Sequence, residues 1–263
     1  MLTRDIAICI RAIDYSETSQ IVTLFARERG KINAIAKGSK RAKSAFDGAI
    51  EVFSYGKIVF AEPKKEKLTT LTEFEQAPAF TPAGENLFAL NCCLLGTELL
   101  SKLTNDYDPH PELFDSFLQF LKNTNEGQQR DEGRGTRDEG RCILSFLILF
   151  QLSLLKEVGM QPILNYCVNC KTKIENRASR IGNQIYFSSS ANGLVCRDCE
   201  ASFPDKIRLS RNGSGCLTNL KMLAETNKKT LSEVEKVLVR HFTEILGRPP
   251  KMGKHIFENL KDQ

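Results

Sequence analysis

Four cysteines stand in two pairs, Cys167-Val-Asn-Cys170 and Cys196-Arg-Asp-Cys199, with 25 residues between them. A Cys-x-x-Cys turn curls two thiolates toward one point. Two such turns facing each other make the tetrahedral four-sulfur cage that Zn²⁺ accepts, with Zn–S near ~2.3 Å. The segment between them reads as two short strands, Ile185–Ser190 and Leu194–Cys196, joined through Ala191-Asn192-Gly193, where Asn-Gly is a hairpin signal. This is the anatomy of a zinc ribbon, spanning about residues 163–205. Iron fits the same cage. With four protein ligands the metal keeps no open position, so its role is folding and not catalysis. A redox Cys-x-x-Cys needs a strand-to-helix junction in a βαβ unit, a pattern missing here. We read the ribbon as a structural staple, with contact to DNA or a partner as the alternative.

The second cluster is cationic. Arg29, Lys31, Lys37, Lys40, Arg41 and Lys43 fall within fifteen residues that contain no Asp or Glu. A solvated face interleaves both signs, as the rest of this chain does. Like charges packed this closely are relieved by an anionic polymer, which releases counterions from its own atmosphere. Tyr15, Phe46, Phe53, Tyr55 and Phe74 are nearby candidates for stacking bases, with core packing as the plainer reading, and Phe46 directly follows the cationic run. Arg197, Lys206, Arg208 and Arg211 near the ribbon could extend such a surface.

No catalytic constellation accompanies these clusters. The chain has no GxxxxGK[ST], GxSxG, HExxH or GxGxxG motif, and its three histidines, His110, His241 and His255, are scattered. We therefore expect a binding protein and not an enzyme. The net charge of +5 is modest over 263 residues, so only its distribution points to a polyanion. The most apolar segment, Cys142–Leu155, has 14 residues without a charge. As a helix it is about 21 Å long, against the roughly 30 Å of a bilayer core. A buried helix is expected and no membrane span. The N-terminal stretch is no signal peptide, so the nine cysteines are read in a reducing cytosol without a disulfide framework.

The elements that must position both clusters divide near residue 78. Before it, five strand-like runs appear, the longest being residues 50–61 with Gly56 marking a bend. Five short strands, one long and bent, fit a small closed barrel; an open sheet is the alternative. Beyond it the period becomes helical, starting after a Thr81-Pro82 cap. Helices are expected through Leu87–Leu103, from Pro111, over 142–158 with Gly159 as cap, over about 214–226 and 231–246 with Gly247 as cap, and around Ile256, Phe257 and Leu260. Residues 124–141, with RDEGR at 130–134 and again at 137–141, read as a disordered loop.

The chain resembles the bacterial RecO family of recombination mediators. The resemblance is carried by residues 17–44 (ETSQIVTLFARERGKINAIAKGSKRAKS), 154–170 (LLKEVGMQPILNYCVNC) and 193–199 (GLVCRDC), in that order. It implies an α+β, multidomain fold: an N-terminal five-stranded OB-fold β-barrel over 1–78 and a helical C-terminal domain over 79–263 with the zinc ribbon inserted. It implies binding of single- and double-stranded DNA, annealing of complementary strands, and help to RecA in replacing single-strand-binding protein (SSB). RecR and the C-terminal tail of SSB are the implied partners, and the implied place is the cytoplasm, at the nucleoid. The six cations at 29–43 become the DNA-binding candidates, and Cys167, Cys170, Cys196 and Cys199 the ligands of a structural Zn²⁺. Two other readings stay open: a protein-interaction adaptor, and an RNA-binding factor.

Overall fold

A computed structural model describes residues 2–41, 43–61, 68–77, 86–129, 139–174 and 184–259. The Thr81-Pro82 cap, the division near residue 78, Leu260, the first RDEGR copy and the first two residues of the second lie outside the described residues.

Five strands close into a barrel in the order β1-β2-β3-β5-β4: β1 Leu2–Asp14, β2 Gln20–Ala26, β3 Gly30–Ala36, β4 Tyr55–Ala61 and β5 Thr69–Gln76. Neighbours are antiparallel except β3 and β5, which run parallel. Closure leaves no unpaired edge, which rules out the open-sheet alternative. Strict alternation in β3 sends Ile32, Ala34 and Ala36 inward, where Val22, Leu24, Ile58, Phe60, Leu71 and Phe74 meet them.

The long bent strand is β1 and not residues 50–61. Its first half pairs with β4 and its second with β2, and the register shifts between Cys9 and Arg11. The bulge lets one strand turn the barrel corner and serve two neighbours. Strand β4 begins only at Tyr55, because Phe53 adopts φ 75° and Phe53 N–H donates to Cys9 O at 2.7 Å. Gly56 is required for another reason: a Cβ there would sit 2.0 Å from Glu75 O.

The chain forms two compact units, residues 1–82 with 100–121 and residues 83–99 with 122–263. In the first, Phe25 of the barrel packs on Phe114, their ring centroids 6.0 Å apart. Arg27 makes two bonds to Asp115, at 3.0 and 2.8 Å, and this guanidinium holds the Asp115 carboxyl below its usual range.

Helices α1 (Leu87–Leu103), α2 (Pro111–Gln129) and α3 (Glu139–Glu157) follow. The proline at the first position of α2 and Gly159 at φ 74° beyond α3 mark their ends as expected. Helical turns continue to Gln129 and resume at Glu139, so the stretch expected to be structureless shrinks at both ends. The helix expected over 214–226 is two pieces, α4 (Arg211–Thr218) and a 3₁₀ turn over Leu220–Ala224. Asn219 breaks it: its backbone is extended and its side chain accepts from Lys221 N–H at 3.3 Å. Then α5 (Lys228–Leu246) ends on left-handed Gly247, and α6 covers Gly253–Asn259. Among the described residues no helix is long and apolar enough to cross a membrane.

The core of the second unit carries two buried titratable groups on α5. Gln151 Nε2 of α3 donates to Glu235 Oε1 at 2.8 Å, while Gln151 Oε1 and Glu235 Oε2 have no partner. Burial pushes the Glu235 carboxyl up to about 7. His241 meets Phe187 edge-on at 5.2 Å with both ring nitrogens unpartnered, and burial pulls it down to about 4.

Candidate nucleic-acid interface and metal centre

The cationic run leaves β3 at Ala36 and turns at Gly38, whose φ of 73° favours glycine. Gln20, at the start of β2 and buried, holds the loop that follows. Its Oε1 accepts from Ser39 Oγ at 3.0 Å and from Ile50 N–H at 2.9 Å, and its Nε2 donates to Ile50 O at 3.0 Å. Gly38 N–H donates to Ser19 Oγ at 3.2 Å and Lys40 N–H to Thr18 O at 3.1 Å. The loop backbone is thus tied down along one side while its cationic side chains project outward. Sequence reading missed Gln20 and Ser39; the one cue was a polar pair amid a run of apolar strand and charged loop.

The six cations do not behave alike. Lys37, Arg41 and Lys43 are exposed and make no ion pair among the described residues. Lys40 pairs with Asp14 at 2.7 Å, but both side chains reach solvent, and such a pair is worth only ~0–1 kcal/mol. Lys31 differs in kind. Its side chain is 13% exposed, and its ammonium donates to Ser101 O at 2.9 Å and Thr104 O at 2.7 Å, with Asp106 at 3.4 Å. There it caps the carbonyls that end α1, where a cation is favoured. Arg29 is exposed on the β2–β3 turn, and its backbone helps hold the Asp5 carboxylate. The expectation of six uncompensated cations therefore fails at Lys31 and Lys40.

Three of the aromatic candidates are core. Phe46, Phe53 and Phe74 are buried, Phe46 and Phe74 among the barrel residues. Tyr15, 64% exposed beside the loop's anchor strand, is free to stack, and Tyr55 is half-buried.

The cysteines come together as their spacing predicts. The four Sγ atoms of Cys167, Cys170, Cys196 and Cys199 lie within 4.8 Å of one another, with Cys170 and Cys196 at 3.7 Å. A tetrahedron with ~2.3 Å arms has edges of about 3.8 Å, so the group fits a metal ion. The first knuckle turns on Lys171, at φ 57°, whose N–H donates to Cys167 O at 3.0 Å. The second follows β7: β6 (Ile185–Ser188) and β7 (Gly193–Cys196) pair antiparallel, with β8 (Ile207–Leu209) on the other side of β6. Val168 N–H donates to Leu194 O at 2.9 Å, and Cys196 N–H to Cys167 Sγ at 3.4 Å. Gly193 lies against Ile163, where a Cβ would be 2.5 Å from the carbonyl oxygen. A hydrogen bond with the Thr172 hydroxyl, first among several, pulls the Cys170 thiol down to about 6, while burial pushes Cys196 up to about 12.

Of the further cations near the ribbon, Arg197, Arg208 and Arg211 are exposed, whereas Lys206 pairs with Glu200 at 3.6 Å and sits 6.0 Å from the Tyr186 ring. Asp198, Glu200 and Asp205 interleave with them in sequence, so this surface is mixed in sign.

Residues 1–80 match the family model described as Recombination protein O N terminal, and residues 84–254 the one described as Recombination protein O C terminal. The chain is 32% identical over 270 residues to the DNA repair protein RecO of Bacillus pumilus (strain SAFR-032), covering 99% of this chain and 96% of that protein. It is 30% identical over 254 residues to the DNA repair protein RecO of Bacillus subtilis (strain 168), covering 94% and 91%. The protein of that name from Rhodopirellula baltica (strain DSM 10527 / NCIMB 13988 / SH1) is 32% identical over 196 residues, covering 74% and 66%.

Proposed function

The chain belongs to the Recombination protein O family, and from that premise we propose that it acts in DNA repair by holding the backbone of single- and double-stranded DNA on the barrel's cationic loop, annealing complementary strands and helping RecA onto SSB-coated DNA. The observation that carries this reading is the loop itself, pinned by Gln20 and presenting Lys37, Arg41 and Lys43 without internal acids. Lys40 joins them by exchanging Asp14 for a phosphate, and Arg29 lies on the adjoining turn. Lys31 is left out, since its ammonium is spent on α1. Phosphate contacts carry no base information, so binding is poorly sequence-specific. Stacking on Tyr15 adds to affinity without adding specificity.

The four-cysteine cage holds Zn²⁺ as a folding element, which its complete sulfur donor set supports. When bound, the ion keeps the two knuckles and the β6–β7 hairpin as one body. For the SSB tail, an acidic peptide ending in hydrophobic residues, the supporting feature is a cavity of about 380 Å³ in the second unit. Leu149, Leu152, Leu164, Leu217 and Leu220 line it, and Lys156 is its one charged group. RecR is the second protein partner, and the cytoplasmic nucleoid is the place of action.

The test is annealing of complementary strands precoated with SSB, with and without Lys37→Ala, Arg41→Ala and Lys43→Ala together. Loss of annealing in a folded variant supports the reading; unchanged annealing overturns it. An RNA oligomer that outcompetes DNA of equal length would favour the RNA-binding alternative.

A further inference from the structure

A second surface also carries exposed cations that make no ion pair among the described residues. Lys229, Lys236 and Arg240 on α5 are exposed, and at 3.6 residues per turn positions seven and eleven apart fall within about 20° of one line. They rise along the helix by about 10 Å and then about 6 Å. The segment after α5 folds alongside: a Cβ on Gly253 would lie 3.1 Å from Val239, and Lys236 Nζ is 6.0 Å from the Phe257 ring. That brings exposed Lys251 and Lys254 to the same neighbourhood.

Of the nearby acids, Glu244 one turn past Arg240 is exposed, while the others are bonded to groups other than these cationic side chains. Glu233 binds the backbone and hydroxyl of Ser210, and Glu235 is buried against Gln151. Glu98 accepts from the backbone amides of Lys251 and Met252, both at 2.9 Å, and Glu258 faces His255 at 3.3 Å. Among the described residues none of these five cations has an ion pair. Leu231, Val234, Val237, Leu238 and Phe242 of α5 are buried, so the large apolar side chains along the stripe's stretch of helix face inward. A bilayer would need apolar side chains to insert.

We propose that the α5 stripe is a second polynucleotide-binding surface, which takes the phosphate backbone of a strand other than the one on the barrel loop. The proposal rests on the reading above, because annealing requires two strands neutralised on one protein. The stripe supplies the second neutralised backbone.

The test uses two short, noncomplementary single strands with different dyes, titrated onto the full chain. Two strands should bind per chain. In Lys229→Gln, Lys236→Gln, Arg240→Gln the count should fall to one, with the affinity of the remaining strand unchanged and annealing reduced by about 10-fold or more. Replacing Lys229 and Lys236 by arginine should restore both, and circular dichroism should be unaltered throughout. A glutamine variant that still binds two strands overturns the proposal, as does a wild-type chain that anneals while binding only one. So does a stripe that binds polyglutamate more tightly than DNA, which would make it a site for an acidic protein. A wild-type chain that binds no strand at all would instead overturn the reading of the barrel loop.

Discussion

Ser39 Oγ donates to Gln20 Oε1 at 3.0 Å, and through that bond the most cationic loop of the chain is fastened to the first residue of a barrel strand. The same amide serves both backbone groups of Ile50. Gln20→Ala leaves those groups buried and unpaired, a loss of about 3 kcal/mol in sum. We expect a lower Tm, faster hydrogen exchange at Ile50 and weaker DNA binding together. Ser39→Ala removes one hydroxyl bond and should cost roughly 1 kcal/mol. Equal effects from the two substitutions would contradict this account of the anchor.

Lys31 and its neighbours in sequence should separate cleanly. Lys31→Ala removes two charged hydrogen bonds at the end of α1 and should cost about 2–4 kcal/mol in urea unfolding. The salt dependence of DNA binding should stay as it was. Alanine at Lys37, Arg41 and Lys43 should do the reverse, lowering the salt slope by about 2 with stability within ~0.5 kcal/mol of wild type. A reduced slope in folded Lys31→Ala would return that residue to the binding surface.

How much of this was legible in the chain follows the range of each interaction. Pro111, Gly159 and Gly247 mark helix ends because a first-turn proline and a left-handed glycine obey local rules. The cysteine cage was legible from spacing, since two-residue turns fix where thiolates point. The role of Lys31 was not, because its carbonyl partners lie 70 and 73 residues away. Gln20 and Ile50 are 30 residues apart. Phe46 looked like a loop aromatic, but the loop folds back far enough to bury it in the barrel. Only closure of the barrel decides which side of the wall such a ring occupies.

The metal centre predicts one equivalent of bound zinc, lost in Cys196→Ser, Cys199→Ser and on treatment with a strong chelator. Either change should destabilise the second unit, because binding energy at a structural site is folding energy. The barrel should keep its near-ultraviolet signature. Metal content unchanged in the double serine variant would show the ligand set to be wrong.

Two buried groups on α5 titrate in opposite senses. The Glu235 carboxyl is raised to about 7 when folded, so its contribution is full below about 4.5 and lost as pH rises toward 7. Gln151 of α3 and the protonated Cys92 thiol of α1 are the groups that face it. His241 is lowered to about 4, so its contribution is full above about 6.5 and lost as pH falls toward 4. Between about 4.5 and 6.5 the two slopes cancel. Glu235→Gln should therefore gain stability as pH rises from 4 to 6.5. His241→Phe should lose it from 4.5 to 7, each by up to roughly 3 kcal/mol. Parallel pH profiles for the two variants would contradict the assignment.

Affinity for a short single strand, measured from low to moderate salt, bears most directly on the cationic loop. With three or four phosphates neutralised by Lys37, Lys40, Arg41 and Lys43, log K should fall against log salt with a slope of about −2 to −3. A slope near zero, or one untouched by replacing those residues with alanine, would contradict it.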